Sequence, residues 1–294
     1  MIADRGDWCI SRQRLWGVPI PIIYNEDGSP IMELEVFNHI AELFGKYGSN
    51  YWFEHDAKDL LPEGYTNPKS PNGNFTKEKD IMDVWFDSGS SWNELQARGY
   101  DYPCDLYFEG SDQYRGWFNS SLIVSTAVNG TAPYKEVLSH GYVVDSKGEK
   151  MSKSVGNVVN PMDIINVNGA DVFRLWAMTS DFKEDLKLGP SNIKQVSDQY
   201  RKIRNTFRFL LGNINANDFD PKKDMVAYDD LTAVDQYILV KLNDVVKEVR
   251  KDCEEYDYVD TSKVLMNFMV NELSSYYCDF TKDILYCNAL NDTR

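Results

Sequence analysis

The apolar pattern of this chain changes its period once, near Pro190, and that break constrains the fold more than any other feature. Upstream, short β-prone runs alternate with turns and one helical stretch. Downstream, apolar residues recur at three and four, the spacing of amphipathic helices. Residues 18–24 form a β-prone run whose two prolines suit an edge or a strand start, and 25–30 read as a turn. Val36, Phe37, Ile40, Leu43 and Phe44 predict a helix over 33–47. Residues 62–74, rich in Pro, Gly, Asn and Lys, read as a loop in a small insertion. Residues 82–86 read as a buried strand, Leu106-Tyr107-Phe108 as a second and Val143-Val144 as a third.

Beyond Pro190 three helices are expected, joined by short links into an antiparallel bundle. Ile203, Phe207, Leu210, Leu211 and Ile214 mark the first, with Gly212 as its C-terminal stop. Leu231, Val234, Ile238, Leu242, Val245 and Val249 mark the second, capped by Thr232 or Asp230. Leu265, Phe268, Met269, Leu273, Tyr276 and Phe280 mark the third.

Two segments carry chemistry. Lys150-Met151-Ser152-Lys153-Ser154 lies between Gly148 and Gly156. Two ammonium groups three positions apart, on a backbone that glycines allow to fold over a ligand, suit a polyphosphate. A Lys/Ser-rich surface turn is the plain alternative. In open α/β sheets ligands gather at the carboxyl ends of strands, and Glu109, Gly110, Asp112 and Gln113 directly follow such an end. For the two carboxylates the alternative is to cap the helix that starts near Tyr114.

Charge and cysteine usage narrow the classes. A net charge of −15, from 46 acidic and 31 basic residues, excludes nucleic-acid binding through the overall field. A local basic patch can still neutralise phosphates; Arg201, Lys202, Arg204 and Arg208 form one candidate, with a solvated helix face as the alternative. The five cysteines (Cys9, Cys104, Cys253, Cys278, Cys287) have no C-x-x-C spacing, which argues against a zinc site and, being odd in number, against a disulfide framework. A reducing cytoplasm fits them. No apolar run approaches the ~20 residues that span a bilayer, and no basic N-region precedes an apolar stretch as in a secretory signal.

Four ordered blocks carry a resemblance: Trp8-Cys9-Ile10-Ser11-Arg12-Gln13-Arg14-Leu15-Trp16-Gly17, Asp83-Val84-Trp85-Phe86-Asp87-Ser88-Gly89, Glu109-Gly110-Ser111-Asp112-Gln113-Tyr114-Arg115-Gly116-Trp117-Phe118, and the lysine segment. Together they resemble the class I aminoacyl-tRNA synthetases of the isoleucyl type, bacterial branch, over essentially the whole chain. The Asp83 and Glu109 blocks set it apart from the valyl and leucyl types. The resemblance implies an α/β fold: residues 1–188 as the second half of a doubly wound nucleotide-binding (Rossmann-like) domain, and 189–294 as an incomplete helical anticodon-binding domain. It also implies a piece of a longer enzyme, without the His-x-Gly-His element, the editing insertion or the C-terminal zinc segment, and inactive alone.

The family's reaction joins isoleucine to ATP as an aminoacyl-adenylate and transfers it to tRNA(Ile). By resemblance, Glu109, Gly110, Asp112 and Gln113 hold the adenylate, while Trp85 and Trp117 wall the side chain unless they are core aromatics. Lys150 and Lys153 close on the phosphates. His140 and Gly141 lie near the adenine, His140 alternatively being a hydrogen-bonded histidine with no ligand contact. ATP enters with Mg2+, with no tightly bound cofactor and no zinc. Isoleucine, ATP and tRNA(Ile) are the implied partners, with no membrane, and the full-length enzyme is a monomer. A valyl or leucyl ligase and a natural truncation that only binds tRNA are the competing readings.

Overall fold

The computed structural model describes residues 2–216, 219–220 and 222–289. By packing the chain divides into two compact units, 1–139 and 140–294.

The first unit runs β1 (Ser11–Arg12), β2 (Ile23–Tyr24), α1 (Leu34–Tyr47), α2 (Tyr51–Glu54), β3 (Thr76–Lys77), β4 (Ile81–Met82), α3 (Val84–Gly89), α4 (Ser91–Ala97), β5 (Cys104–Gly110), α5 (Trp117–Asn129) and β6 (Tyr134–His140). β1 pairs antiparallel with β4, and β2 with β3. β5 and β6 are neighbours joined through α5. The helix expected over 33–47 is α1, and its buried stripe of Val36 and Ile40 packs with Ile23, Ile31, Trp52, Leu60 and Leu61. Trp52 is fully buried and donates its indole N–H to the Glu78 carbonyl at 3.1 Å. An indole of roughly 200 Å² at about 25 cal/mol/Å² contributes about 5 kcal/mol to this lobe before entropy is counted. The loop 62–74 closes over it through Tyr65, and Phe75, directly after the loop, packs there too.

The lobe also carries a pH-sensitive pair. Glu78 accepts hydrogen bonds from the Asp80 amide (3.0 Å), the Tyr24 hydroxyl (2.6 Å) and the Lys79 amide (2.7 Å). These hold its carboxyl below the ordinary glutamate range, the Asp80 amide contributing most. The same pairing, with burial, pushes the Tyr24 phenol up to about 12. Glu78 therefore contributes stability that is full above its unfolded pKa and is lost as pH falls through its lower folded value. Tyr24, shifted upward, contributes below its unfolded pKa of 10.0 and loses that contribution as pH rises toward 12. Thermal melts from about pH 7 down to 3 and up to 11 are expected to fall on both flanks. In Tyr24→Phe both falls become shallower; part of the alkaline fall remains, because burial also raises Tyr107 and Tyr134.

One expectation fails here. Residues 82–86 are not a buried strand: the strand ends at Met82, and Val84–Gly89 is helix α3, with Val84 and Trp85 exposed. The apolar run is short because it turns at Asp83, whose buried carboxylate is tied to Trp8 and Arg12.

The second unit runs β7 (Val143–Val144), α6 (Pro161–Asn168), α7 (Ala170–Thr179), β8 (Leu186–Lys187), α8 (Pro190–Ala216), α9 (Ala233–Glu254), α10 (Tyr258–Asn267), a π-wound stretch (Phe268–Cys278) and α11 (Asp279–Cys287). β7 and β8 pair in parallel. Val172, Trp176, Leu188, Ile193 and Val196 form the core that joins α7 to the start of α8. Pro190 opens α8, where its missing N–H is no loss. Gly212 does not stop this helix, which continues to Ala216; a single interior glycine costs only about 1 kcal/mol. Thr232 caps α9 in a capping box with Asp235. The link over 217–232 is longer than expected and includes a 3-10 turn at Tyr228–Asp230. The third expected helix is α10, the π stretch and α11 run together without a break.

Candidate functional site

In the first unit β5 delivers Glu109 and the buried Gly110 at its C-terminal end, and a 3-10 turn (Ser111–Tyr114) leads into α5. Glu109 and Asp112 are exposed. Gln113 is committed locally: its Oε1 accepts from the Trp117 amide at 2.9 Å, and its Nε2 donates to Asp112 Oδ2 at 3.1 Å. The carboxamide thus satisfies a free N–H at the start of α5 and orients the Asp112 carboxylate.

Trp85 and Trp117 both meet this turn. Trp117 stacks on buried Tyr107 (centroids 4.0 Å apart, planes 8°) and donates to the Ser88 carbonyl at 2.9 Å. Trp85, 42% exposed, lies over Gly116. A Cβ at Gly116 would sit 2.6 Å from Gln113 Oε1 and 2.7 Å from the Trp85 ring, so this glycine lets the indole and the carboxamide share one place. Gly89 does the same for helix packing: its Cβ would lie 3.0 Å from the Ser120 backbone, where α3 meets α5. The structure therefore brings together Trp85, Asp112, Gln113 and Trp117, with Glu109 and Gly110 at the strand end just before them.

Sequence reasoning assigned no role to Trp8, Arg12, Asp83 or Asp87. Asp83 accepts from the Trp8 indole at 2.8 Å and pairs with Arg12 at 3.1 Å, fixing the start of the helix that carries Trp85. Asp87 has its carboxyl raised by burial and, secondarily, by the Asp83 charge. The ordered recurrence of Trp, Arg and Asp in the quoted blocks was the available signal; their pairing across 75 positions was not.

In the second unit β7 leads into the lysine loop. Gly148 (φ 88°) and Gly156 (φ 74°) occupy left-handed conformations at its two ends. Lys150 bridges to Val144 through the backbone, and its ammonium lies 5.7 Å from the Tyr142 ring centroid. Lys153 is exposed on the turn closed by the Gly156 amide and the Ser152 carbonyl at 3.1 Å; among the described residues no carboxylate pairs with it. His140 has Nδ1 2.7 Å from the Gly141 carbonyl, so the Nδ1–H tautomer donates there. Gly141 donates to the Phe182 carbonyl at 2.9 Å, and a Cβ on it would run into the Glu184 carbonyl and come within 2.7 Å of the Asp185 nitrogen.

Arg201, Lys202, Arg204 and Arg208 are exposed along α8, Arg201 pairing with Asp198 at 3.1 Å. Among the described residues no group of three or more His, Cys, Asp or Glu is arranged to hold a metal ion, and no helix is long and apolar enough to cross a membrane. All five cysteines are free.

Residues 1–189 match the family model of the class I tRNA synthetases (I, L, M and V), and residues 235–294 match that of the anticodon-binding domain of tRNA ligases. The chain is similar to the isoleucine–tRNA ligase of Limosilactobacillus reuteri, 59% identical over 99% of this chain and 31% of that protein. It is likewise similar to that of Bacillus licheniformis, 59% identical over 97% of this chain and 31% of that protein. The chain thus spans about a third of the length of these relatives. Among solved structures it is similar to a LeuRS of Agrobacterium radiobacter in a ternary complex with tRNA and LeuAMS (TM-score 0.64, 20% identity, 96% of this chain and 41% of that one). It is also similar to the methionyl-tRNA synthetase of Mycobacterium tuberculosis with methionyl-adenylate (TM-score 0.56, 17% identity, 90% and 57%). The two structural likenesses establish the fold: a mixed α/β, Rossmann-like catalytic region followed by a helical region.

Proposed function

Because this chain belongs to the class I tRNA synthetases of the I, L, M and V group, we propose that it is a segment of an isoleucine–tRNA ligase. The carrying observation is identity of 56–59% with isoleucine–tRNA ligases along 97–100% of the chain. In this reading the carboxylate of isoleucine attacks the α-phosphate of ATP, breaking the α–β anhydride and releasing pyrophosphate. A terminal ribose hydroxyl of tRNA(Ile) then attacks the activated carbonyl and releases AMP. ATP enters as its Mg2+ complex.

The protein's part is positioning and charge. Lys150 and Lys153 meet the phosphates, and Lys153, exposed on a glycine-ended turn, is free to move onto them. Glu109 and Asp112 present carboxylates to the substrate ammonium and the ribose hydroxyls, with Gly110 shaping the strand end and Gln113 orienting Asp112. Trp85 presents an exposed ring to the isoleucine side chain, while Trp117 braces it from the core. His140 and Gly141 shape the adenine side through their backbone packing. Residues 1–188 serve as the catalytic part and 189–294 as the anticodon-binding part, with the α8 basic stripe facing tRNA. The free cysteines suit a reducing cytoplasm, and the whole enzyme acts as a monomer.

A chimera tests this: the segment replaces its counterpart in the Limosilactobacillus reuteri enzyme. Isoleucine-dependent ATP–pyrophosphate exchange is expected, with valine supporting it only at much higher concentration. A well-folded chimera that exchanges with leucine or valine in preference to isoleucine refutes the assignment.

A further inference from the structure

The lysine loop is closed from the inside by a single carboxamide. Asp145, directly after β7, accepts on Oδ1 from the amides of Lys147 and Glu149, each at 2.9 Å. Its Oδ2 accepts from Asn157 Nδ2 at 3.0 Å. The same Nδ2 donates to the Lys150 carbonyl at 3.3 Å, and Asn157 Oδ1 accepts from the Ser152 amide at 2.9 Å. Asn157 thus uses its Nδ2 on Asp145 and Lys150 and its Oδ1 on Ser152. Asp145 is held ionised by these contacts, its carboxyl lowered first by the Asn157 hydrogen bond and then by the Glu149 amide. Met151 fastens the loop floor, packing against the Val172–Trp176 core while its sulfur accepts from the Val159 amide at 3.5 Å.

The consequence is a division within the loop. The backbone of Lys150 is pinned from two sides, by the Val144 bridge and by Asn157. Lys153 follows the Ser152 amide that Asn157 holds and sits on the Ser152–Gly156 turn, which is bonded within itself by the Val155 and Gly156 amides on Ser152. We propose that Asn157, acting with Asp145, is a positioning residue that sets the shape of the phosphate-binding loop, so that one lysine is fixed and the other swings. The proposal rests on the phosphate reading of this loop. An aspartate at 157 cannot donate to Asp145, and an aliphatic residue can neither donate nor accept, so the clasp needs a carboxamide.

Hydrogen exchange on the 294-residue chain tests it, in wild type, N157D, D145N and the swap D145N/N157D. In N157D two carboxylates face each other. Amides over 150–157 are expected to exchange at least about fivefold faster, the equivalent of one lost hydrogen bond, while α8 keeps its protection. The swap has the wild-type net charge and restores one Asn–Asp bond, so most protection returns. Inorganic pyrophosphate, titrated calorimetrically, is expected to bind about fivefold more weakly to N157D and to recover in the swap. Should N157D lose α8 protection, Asn157→Ser removes the bridge without added charge and is read the same way. Unchanged loop exchange in N157D, a swap that exchanges as fast as N157D, or equal pyrophosphate binding by wild type and N157D each overturn the proposal. Failure of the wild-type chain to bind pyrophosphate, with exchange changing as expected, instead sinks the phosphate reading beneath it.

Discussion

Replacing Lys153 by alanine in the chimeric ligase is expected to lower the rate of isoleucine-dependent ATP–pyrophosphate exchange by about 10²–10³-fold, the range for removing one preorganised charge donor. The loss should fall on kcat, with the KM for isoleucine nearly unchanged, because the charge it meets develops as pyrophosphate leaves. Stability should not change. Lys153 is exposed, and no carboxylate pairs with it among the described residues, so its removal strands no partner. Lys150→Ala is the comparison: its ammonium already lies over the Tyr142 ring and its backbone is pinned, so part of its effect is on loop shape. A Lys153→Ala enzyme within tenfold of the parent means that the loop does not stabilise the leaving group.

The largest effect on folding is expected at Gly141. Its added methyl would meet backbone, the Glu184 carbonyl and the Asp185 nitrogen, and backbone cannot rotate aside as a side chain can. The segments are also held together there, by the Gly141 amide on the Phe182 carbonyl and the Tyr142 amide on Asp185 Oδ1 at 2.8 Å. Gly141→Ala is expected to cost about 3 kcal/mol, the upper range for overpacking, measured by urea denaturation of the chain. Gly148→Ala, strained by its positive φ but near only the Lys187 side chain, should cost about 1 kcal/mol. The comparison separates two roles for Gly141. A destabilised variant marks a packing glycine, whereas a stable one that binds ATP poorly marks a ligand contact.

Where the sequence signal was local, the fold was legible. Helix α1, the β5 strand, β7, the Thr232 cap and the break near Pro190 follow from side-chain period, cap chemistry and proline placement over a few residues. The helix at Val84–Gly89 was not legible: Val84 and Trp85 are exposed, and partners far away in sequence fix it, Ser120 against Gly89 and Trp8 with Arg12 on the preceding Asp83. The site behaved alike. The lysines, Glu109 and Asp112 stand out by type and spacing, but Gln113 as a helix-starting acceptor and Asn157 as a loop clasp emerge only once hydrogen-bond partners are known. Gly116 and Gly141 look alike in sequence, yet one makes room for side chains and the other for backbone.

The π-wound stretch from Phe268 to Cys278 has its own consequence for how this chain can change length. Its inward residues, Phe268, Leu273 and Cys278, recur every fifth position, whereas Leu265, Tyr276 and Phe280, chosen for a 3.6-residue period, are exposed. A wider turn holds more chain per unit of axis than an α-helix needs. Slack of this kind makes the stretch a length buffer: a residue deleted here can be absorbed by tighter winding, and the rods on either side keep their own faces. The same deletion inside α9 would rotate everything beyond it away from its neighbours. Deleting one residue within Phe268–Cys278 is therefore expected to cost less stability than deleting one within Ala233–Glu254.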